Sequence, residues 1–150
     1  MVVLKEHIII LESLKKILIK NHNGVNKIKK NESINVFGKK LDICCNNPKT
    51  GFFRNGSCDT CKEDTGVHTV CILATEEFLK FSKSVGNDLS TPHPEFQFAG
   101  VKPGDRWCLC ALRWKEAYDN GMAPPVFLDS THIETLKLID LNILQQYVLN

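Results

Sequence analysis

Apolar residues recur along this chain with two different periods, and the change of period marks out its elements. Leu4, Ile8, Leu11, Leu14 and Leu18 fall three or four residues apart, which predicts an amphipathic helix over 3–20. The stretch NHNGVNKIKKNES (21–33) breaks that stripe with Asn, Lys and a Gly, and reads as a solvated linker. From Ile34 the periods shorten. INVFG suggests a short strand, and VHTVCIL (67–73), dense in β-branched residues, predicts a longer one. Thr75-Glu76-Glu77 then supplies an N-cap and first-turn acids for a helix that packs Phe78, Leu79 and Phe81 and stops near Gly86. VFLD (126–129) reads as a short buried strand. Thr131-x-x-Glu134 has the form of a capping box, and Asp140 opens a last helix with Ile143, Leu144, Tyr147 and Val148 inward.

Between these elements lie two long irregular stretches. Residues 44–66 are rich in Asn, Pro, Gly, Asp and Cys, and 87–104 hold Pro92, Pro94 and Pro103. The pattern as a whole predicts an α+β fold. It is a single compact, loop-rich domain over 34–150, with a few short strands packed against three or four helices. An N-terminal helical extension and its linker (1–33) precede it.

One stretch, PGDRWCLCALRW (103–114), fits either period. As a strand it would put Cys108 and Cys110 on one face, ready to grip a metal; as a helix the two sit roughly 200° apart and cannot. Asp105 suits an N-cap, Gly121 suits the residue after a helix, and Trp107, Ala111, Trp114 and Tyr118 form one helical face. The spacing therefore favours a helix over 105–120. In that helix Arg106 and Arg113 flank Cys110 at i−4 and i+3, which would lower its pKa and make it a nucleophile. Cys108 would turn away with Leu112 as a small buried apolar residue. Simple packing is the more economical account of Cys110, because free cysteines are among the most buried residues.

Composition narrows the classes. The chain has 150 residues, 43% of them hydrophobic, enough for one ordinary core. Its net charge of +2 is too small to argue for nucleic acid. The charge is also unevenly placed, with +4 in residues 1–33 and −2 in the rest. A basic amphipathic helix can contact a membrane or a partner, although docking on its own domain is the simpler reading. No stretch is long enough to span a membrane. Seven cysteines is an odd number, and the chain start does not resemble a signal peptide. The expectation is a cytoplasmic protein with reduced thiols.

Other residues offer chemistry. Cys58-x-x-Cys61, with Cys44 and Cys45 upstream, has a zinc-like spacing, so a loop stabilised by zinc on Cys44, Cys58 and Cys61 is an alternative; the absence of a second C-x-x-C weighs against it. His68 lies in the 67–73 strand on the opposite face from Cys71. His132 sits where a strand hands over to a helix, a place where ligands gather. Asn87 and Asp88 follow Gly86, where organising its turn is enough to explain them. KTGFFRNG (49–56) lacks the P-loop lysine pattern.

NVFG, TGFFRNGSC, EDTGVHTVC, EFLKFS, GNDLSTPHPEF, KPGDRWCLCALRW and APPVFL followed by TH occur here in one order. In these words the chain resembles a family of small, mostly bacterial proteins classed as a domain of unknown function, over about residues 35–148. The resemblance implies one compact domain and no established reaction. It matches Cys44, Cys58, Cys71, Cys108 and Cys110, and among polar residues Arg54, Glu63, Asp64, His68, Asn87, Asp88, Asp105, Arg106, Arg113 and His132. Cys45 and Cys61 depart from it, which weakens the C-x-x-C zinc reading. The functional expectation is a polar pocket that binds or transforms a small anionic molecule. Arg106 and Arg113, with Asn87 and Arg54, would hold the anion. Cys110 would be the nucleophile or its neighbour, and His68, His132 or Asp88 would move protons. A non-enzymatic zinc-stabilised domain and a protein-interaction module are the alternatives.

Overall fold

A computed structural model describes residues 28–149, so the expected helix over 3–20 lies outside the described residues. At the centre are two antiparallel strands, β1 (His68–Leu73) and β2 (Arg106–Cys110). Helix α1 (Glu76–Ser84) follows β1, α2 (Ala111–Asp119) follows β2 directly, and α3 (Leu141–Gln145) comes near the end of the chain. Short 3₁₀ turns occupy Pro94–Phe96, Leu128–Ser130 and Ile133–Lys137. The arrangement is a compact α+β domain.

The stretch 105–120 is therefore not one helix. Its first half pairs with β1, with Leu73 opposite Arg106, Ile72 opposite Trp107, Cys71 opposite Cys108 and Val70 opposite Leu109. Trp107 and Leu109 alternate into the main core while the residues between them point the other way, a strand period that the helical spacing of Trp107 and Ala111 conceals. Asp105 caps nothing. Its carboxylate accepts the Lys102 amide, and its carbonyl accepts Ala74 N–H. Only from Ala111 does the expected face hold, with Ala111, Trp114 and Ala117 buried and Gly121 at φ +71 just past the helix.

The two faces of the sheet bury different things. Val70, Ile72, Trp107 and Leu109 meet Phe78, Leu79, Trp114, Val126 and Leu144 in one continuous core. Trp114 stands perpendicular to Tyr147 and donates its indole N–H to the Pro124 carbonyl. The α1 cap is as expected: Thr75 Oγ1 accepts the Phe78 amide at 3.1 Å. On the other face Cys71 and Cys108 are each tied to the irregular stretch 44–66 by a disulfide, Cys44–Cys71 and Cys58–Cys108. The expectation of reduced thiols is overturned for these four cysteines. Cys108 is a bridge residue, not a free apolar one, and Leu112 is exposed.

Two smaller expectations change as well. Val126 bridges Ile72 and Val148, but the chain then turns into a 3₁₀ segment instead of continuing as a strand. The Thr131–Glu134 capping box does not form. Thr131 is buried, with its hydroxyl donating to Phe127 O and accepting Cys71 N–H, and the residue capping Ile133–Lys137 is His132. No described helix is long and apolar enough to cross a membrane.

Candidate functional site

A bulge at the start of β1 decides where His68 points. Val70 pairs with Leu109 and His68 with Cys110, so Thr69 is the extra residue. Strict alternation would put His68 opposite Cys71. The bulge instead makes it the direct backbone partner of Cys110 across the sheet. A bulge leaves no mark in a single sequence, so pattern reading missed it.

His68 is fixed from behind. Asp64 Oδ1 lies 2.7 Å from His68 Nδ1, while Asp64 Oδ2 accepts the His68 amide and the Thr60 hydroxyl, both at 2.9 Å. Asp64 is buried. A Cβ on Gly66 would lie 2.5 Å from His68 Cε1, so glycine is what lets the ring lie against its own turn. The Phe52 ring stacks on the imidazole with centroids 6.4 Å apart. Held at Nδ1, the ring keeps Nε2 for other chemistry.

Cys110 is half-buried and ends β2, immediately before the first turn of α2. Burial pushes its thiol above the ordinary value; the Arg113 and Leu112 amides and the Arg113 charge pull the other way, without forming a capping hydrogen bond, and Asp64 adds to the rise. The expected flanking by two arginines is not found. With residues 106–110 extended, only Arg113 lies near Cys110, and it pairs with Glu116 at 3.2 Å and reaches the Val85 carbonyl.

The remaining expected residues serve elsewhere. His132 is 1% exposed, with Nε2 on the Glu32 carbonyl and Nδ1 accepting the Glu134 amide, so both nitrogens are committed. Asp88 accepts from Ser90 N, Thr91 N and Thr91 Oγ1. Burial acts to raise its pKa, but those bonds and Lys83 prevail and hold it low. Asn87 is buried at the end of α1, where its amide donates to the Ser82 carbonyl and its carbonyl accepts the Ser82 hydroxyl. Arg54 is packed over the Trp107 ring at 5.2 Å, and burial lowers its pKa. Arg106 lies 3.7 Å over the Phe127 ring and points Nη2 at Ser130 Oγ and at Cys71 Sγ, 3.8 Å away.

The loop cysteines divide differently from the C-x-x-C reading. Cys61 packs against Phe52 and is free, with its thiol raised to about 11 by burial and the neighbouring Glu63. The sulfurs that converge are those of Cys44, Cys58 and Cys108, all within 4.8 Å of one another. A separate cleft of about 380 Å³ is lined by Lys30, Ser33, Lys40, Asn55 and Asp59 among others. None of the expected site residues lines it. Of its two acids, Asp42 and Asp59, the buried Asp59 is already engaged, accepting from Lys30, Ser33 and Asn55.

The structure thus brings together two of the expected site residues, Cys110 and His68, and adds Asp64. Of the five cysteines that carry the resemblance, four are paired and the fifth is Cys110. No curated protein matches the chain. A family model described as "Uncharacterized protein conserved in bacteria (DUF2237)" matches residues 34–148, most of the chain, and the protein therefore belongs to that family.

Proposed function

We propose that this domain is a thiol-dependent catalyst or binder for a small anionic molecule, working through Cys110, His68 and Asp64. The observation that carries the reading is the pairing of His68, its Nδ1 held by buried Asp64 at 2.7 Å, with Cys110 at the mouth of α2. Because burial keeps the resting thiol protonated, it needs a base. His68 Nε2 would take the Sγ proton as sulfur adds to an electrophilic carbon, and would return it to the leaving group. Asp64 fixes the tautomer and steadies the imidazolium. The first-turn amides of α2 and the Arg113 charge favour negative charge at the thiolate and at an anionic substrate. A cytoplasmic setting would keep Cys110 a thiol, whereas the two disulfides are of the kind that persist in oxidising compartments.

The test is alkylation of Cys110, followed by mass spectrometry, with iodoacetamide and with anionic iodoacetate. Cys110 is expected to react faster in the wild type than in His68→Ala, by about tenfold or more, the low end of what a general base contributes. Asp64→Asn should fall between the two. Arg113→Ala should erase any preference for iodoacetate. If His68→Ala, folded by circular dichroism, labels at the wild-type rate at every pH, the reading fails.

A further inference from the structure

Cys44 and Cys58 from the loop and Cys71 and Cys108 from the sheet gather in one buried cluster. The Cys44, Cys58 and Cys108 sulfurs lie within 4.8 Å of one another, and Cys71 is bonded to Cys44. All four residues are buried, in a cluster of their own beside Phe127. Cys71 and Cys108 are direct partners across the sheet, yet each is joined to a loop cysteine and not to the other. The sheet therefore presents two sulfurs and the loop two more.

Stapling the loop requires neither this convergence nor a cation beside it. Both are present. Arg106 directs Nη2 at Cys71 Sγ, and its Nε is buried with no hydrogen-bond partner. A disulfide sulfur is neutral and gives a guanidinium little in return, whereas a thiolate sulfur answers its charge directly. The position of Arg106 suits a state in which Cys71 is ionised.

We propose that the reduced form of this cluster is a closed tetrathiolate site for one zinc ion, with Cys44, Cys58, Cys71 and Cys108 as ligands and Arg106 as an outer-shell cation. Zinc–sulfur bonds of about 2.3 Å in a tetrahedron place sulfurs roughly 3.8 Å apart, within the 4.8 Å spread of the Cys44, Cys58 and Cys108 sulfurs. Cys71, now bonded to Cys44, would swing in as the fourth ligand once the S–S bonds open. Soft thiolates select zinc over hard cations. With four protein ligands no position is left for water, so the metal is structural and holds the 44–66 loop to β1 and β2 as the disulfides do. The balance is simple. Two external dithiols each deliver two electrons and two protons, becoming disulfides while the four cysteines become thiols; zinc then binds and four protons leave. The resulting complex carries a formal charge of about −2, which Arg106 partly offsets. The site shares no residue with the Cys110 proposal and stands or falls separately.

The experiment uses the whole chain, reduced under anaerobic conditions and titrated with cobalt(II) as a visible probe, then with zinc. One equivalent of cobalt is expected, with the absorption of tetrahedral thiolate coordination, and zinc should displace it. The oxidised protein should take up none. Cys71→Ser and Cys108→Ser should each alter the cobalt spectrum and weaken binding, while Cys61→Ser and Cys45→Ser should leave both unchanged. Arg106→Ala should weaken binding about tenfold, in the range of outer-shell substitutions. If the reduced apoprotein unfolds, metal must restore its circular dichroism, because binding free energy then becomes folding free energy. Failure of the reduced protein to bind metal, folded or unfolded, overturns the proposal. So does a spectrum that survives Cys108→Ser but is lost in Cys61→Ser, which would place the metal in the loop alone.

Discussion

Cys61 shows how little a residue's letter says about its charge state. Its spacing from Cys58 suggests a ligand, but its side chain lies against Phe52, 5% exposed, with its pKa raised from 9.0 to about 11. The pH dependence follows from that direction. Between those values the unfolded chain loses the Cys61 proton while the folded protein keeps it, so stability falls as pH rises from about 9 to about 11. Cys61→Ala should flatten that alkaline limb in urea titrations repeated across pH, at some cost at neutral pH from the lost side chain. An alkaline limb unchanged in Cys61→Ala would show that the thiol is not buried as described. His132 carries the same lesson. The sequence suggests a strand-to-helix handover there, whereas the structure sets His132 between two 3₁₀ turns, and no pattern foretells that both ring nitrogens go to backbone groups of Glu32 and Glu134.

At the scale of elements, legibility depended on whether a segment's partner was near in sequence. Helix α1 was readable because its cap, its acids and its apolar face all lie within ten residues, and β1 because β-branched residues crowd it. Strand β2 was not, because its conformation is set by pairing with β1, far back along the chain, while its local spacing with Ala111, Trp114 and Tyr118 mimics one long helix. The same dependence hid the pairing of His68 with Cys110. The end of α2 was legible through Gly121. Its φ of +71 needs a residue without a Cβ penalty, and a Cβ there would meet nothing within 4 Å. Gly121→Ala should therefore cost only the backbone term, about 1 kcal/mol, seen as a melting-temperature drop of roughly 3 °C. A much larger drop would mean that the helix end is more crowded than described.

At the scale of the whole molecule, the α+β class and the loop-rich character came through from the order of apolar segments. What holds the long 44–66 stretch in place did not, since four cysteines allow several pairings and a sequence cannot choose among them. Residues 30–33, read as linker, lie against that stretch: Lys30 and Ser33 reach Asp59, and the Asn31 amide donates to the Thr60 carbonyl.

The two bridges also change what a broken backbone means. Cys44 is joined to Cys71 and Cys58 to Cys108, so the spans they enclose overlap. Any single peptide bond cut between residues 45 and 107 leaves both pieces attached through at least one sulfur–sulfur link. The proline-bearing loop over 87–104, with exposed residues along much of it, is where a protease would enter. Protein clipped there should run as one intact band on a denaturing gel and separate into two fragments only after reduction. A nick in this domain is thus a wound that the molecule survives while it stays oxidised. The same cut becomes a dissociation once its thiols are free.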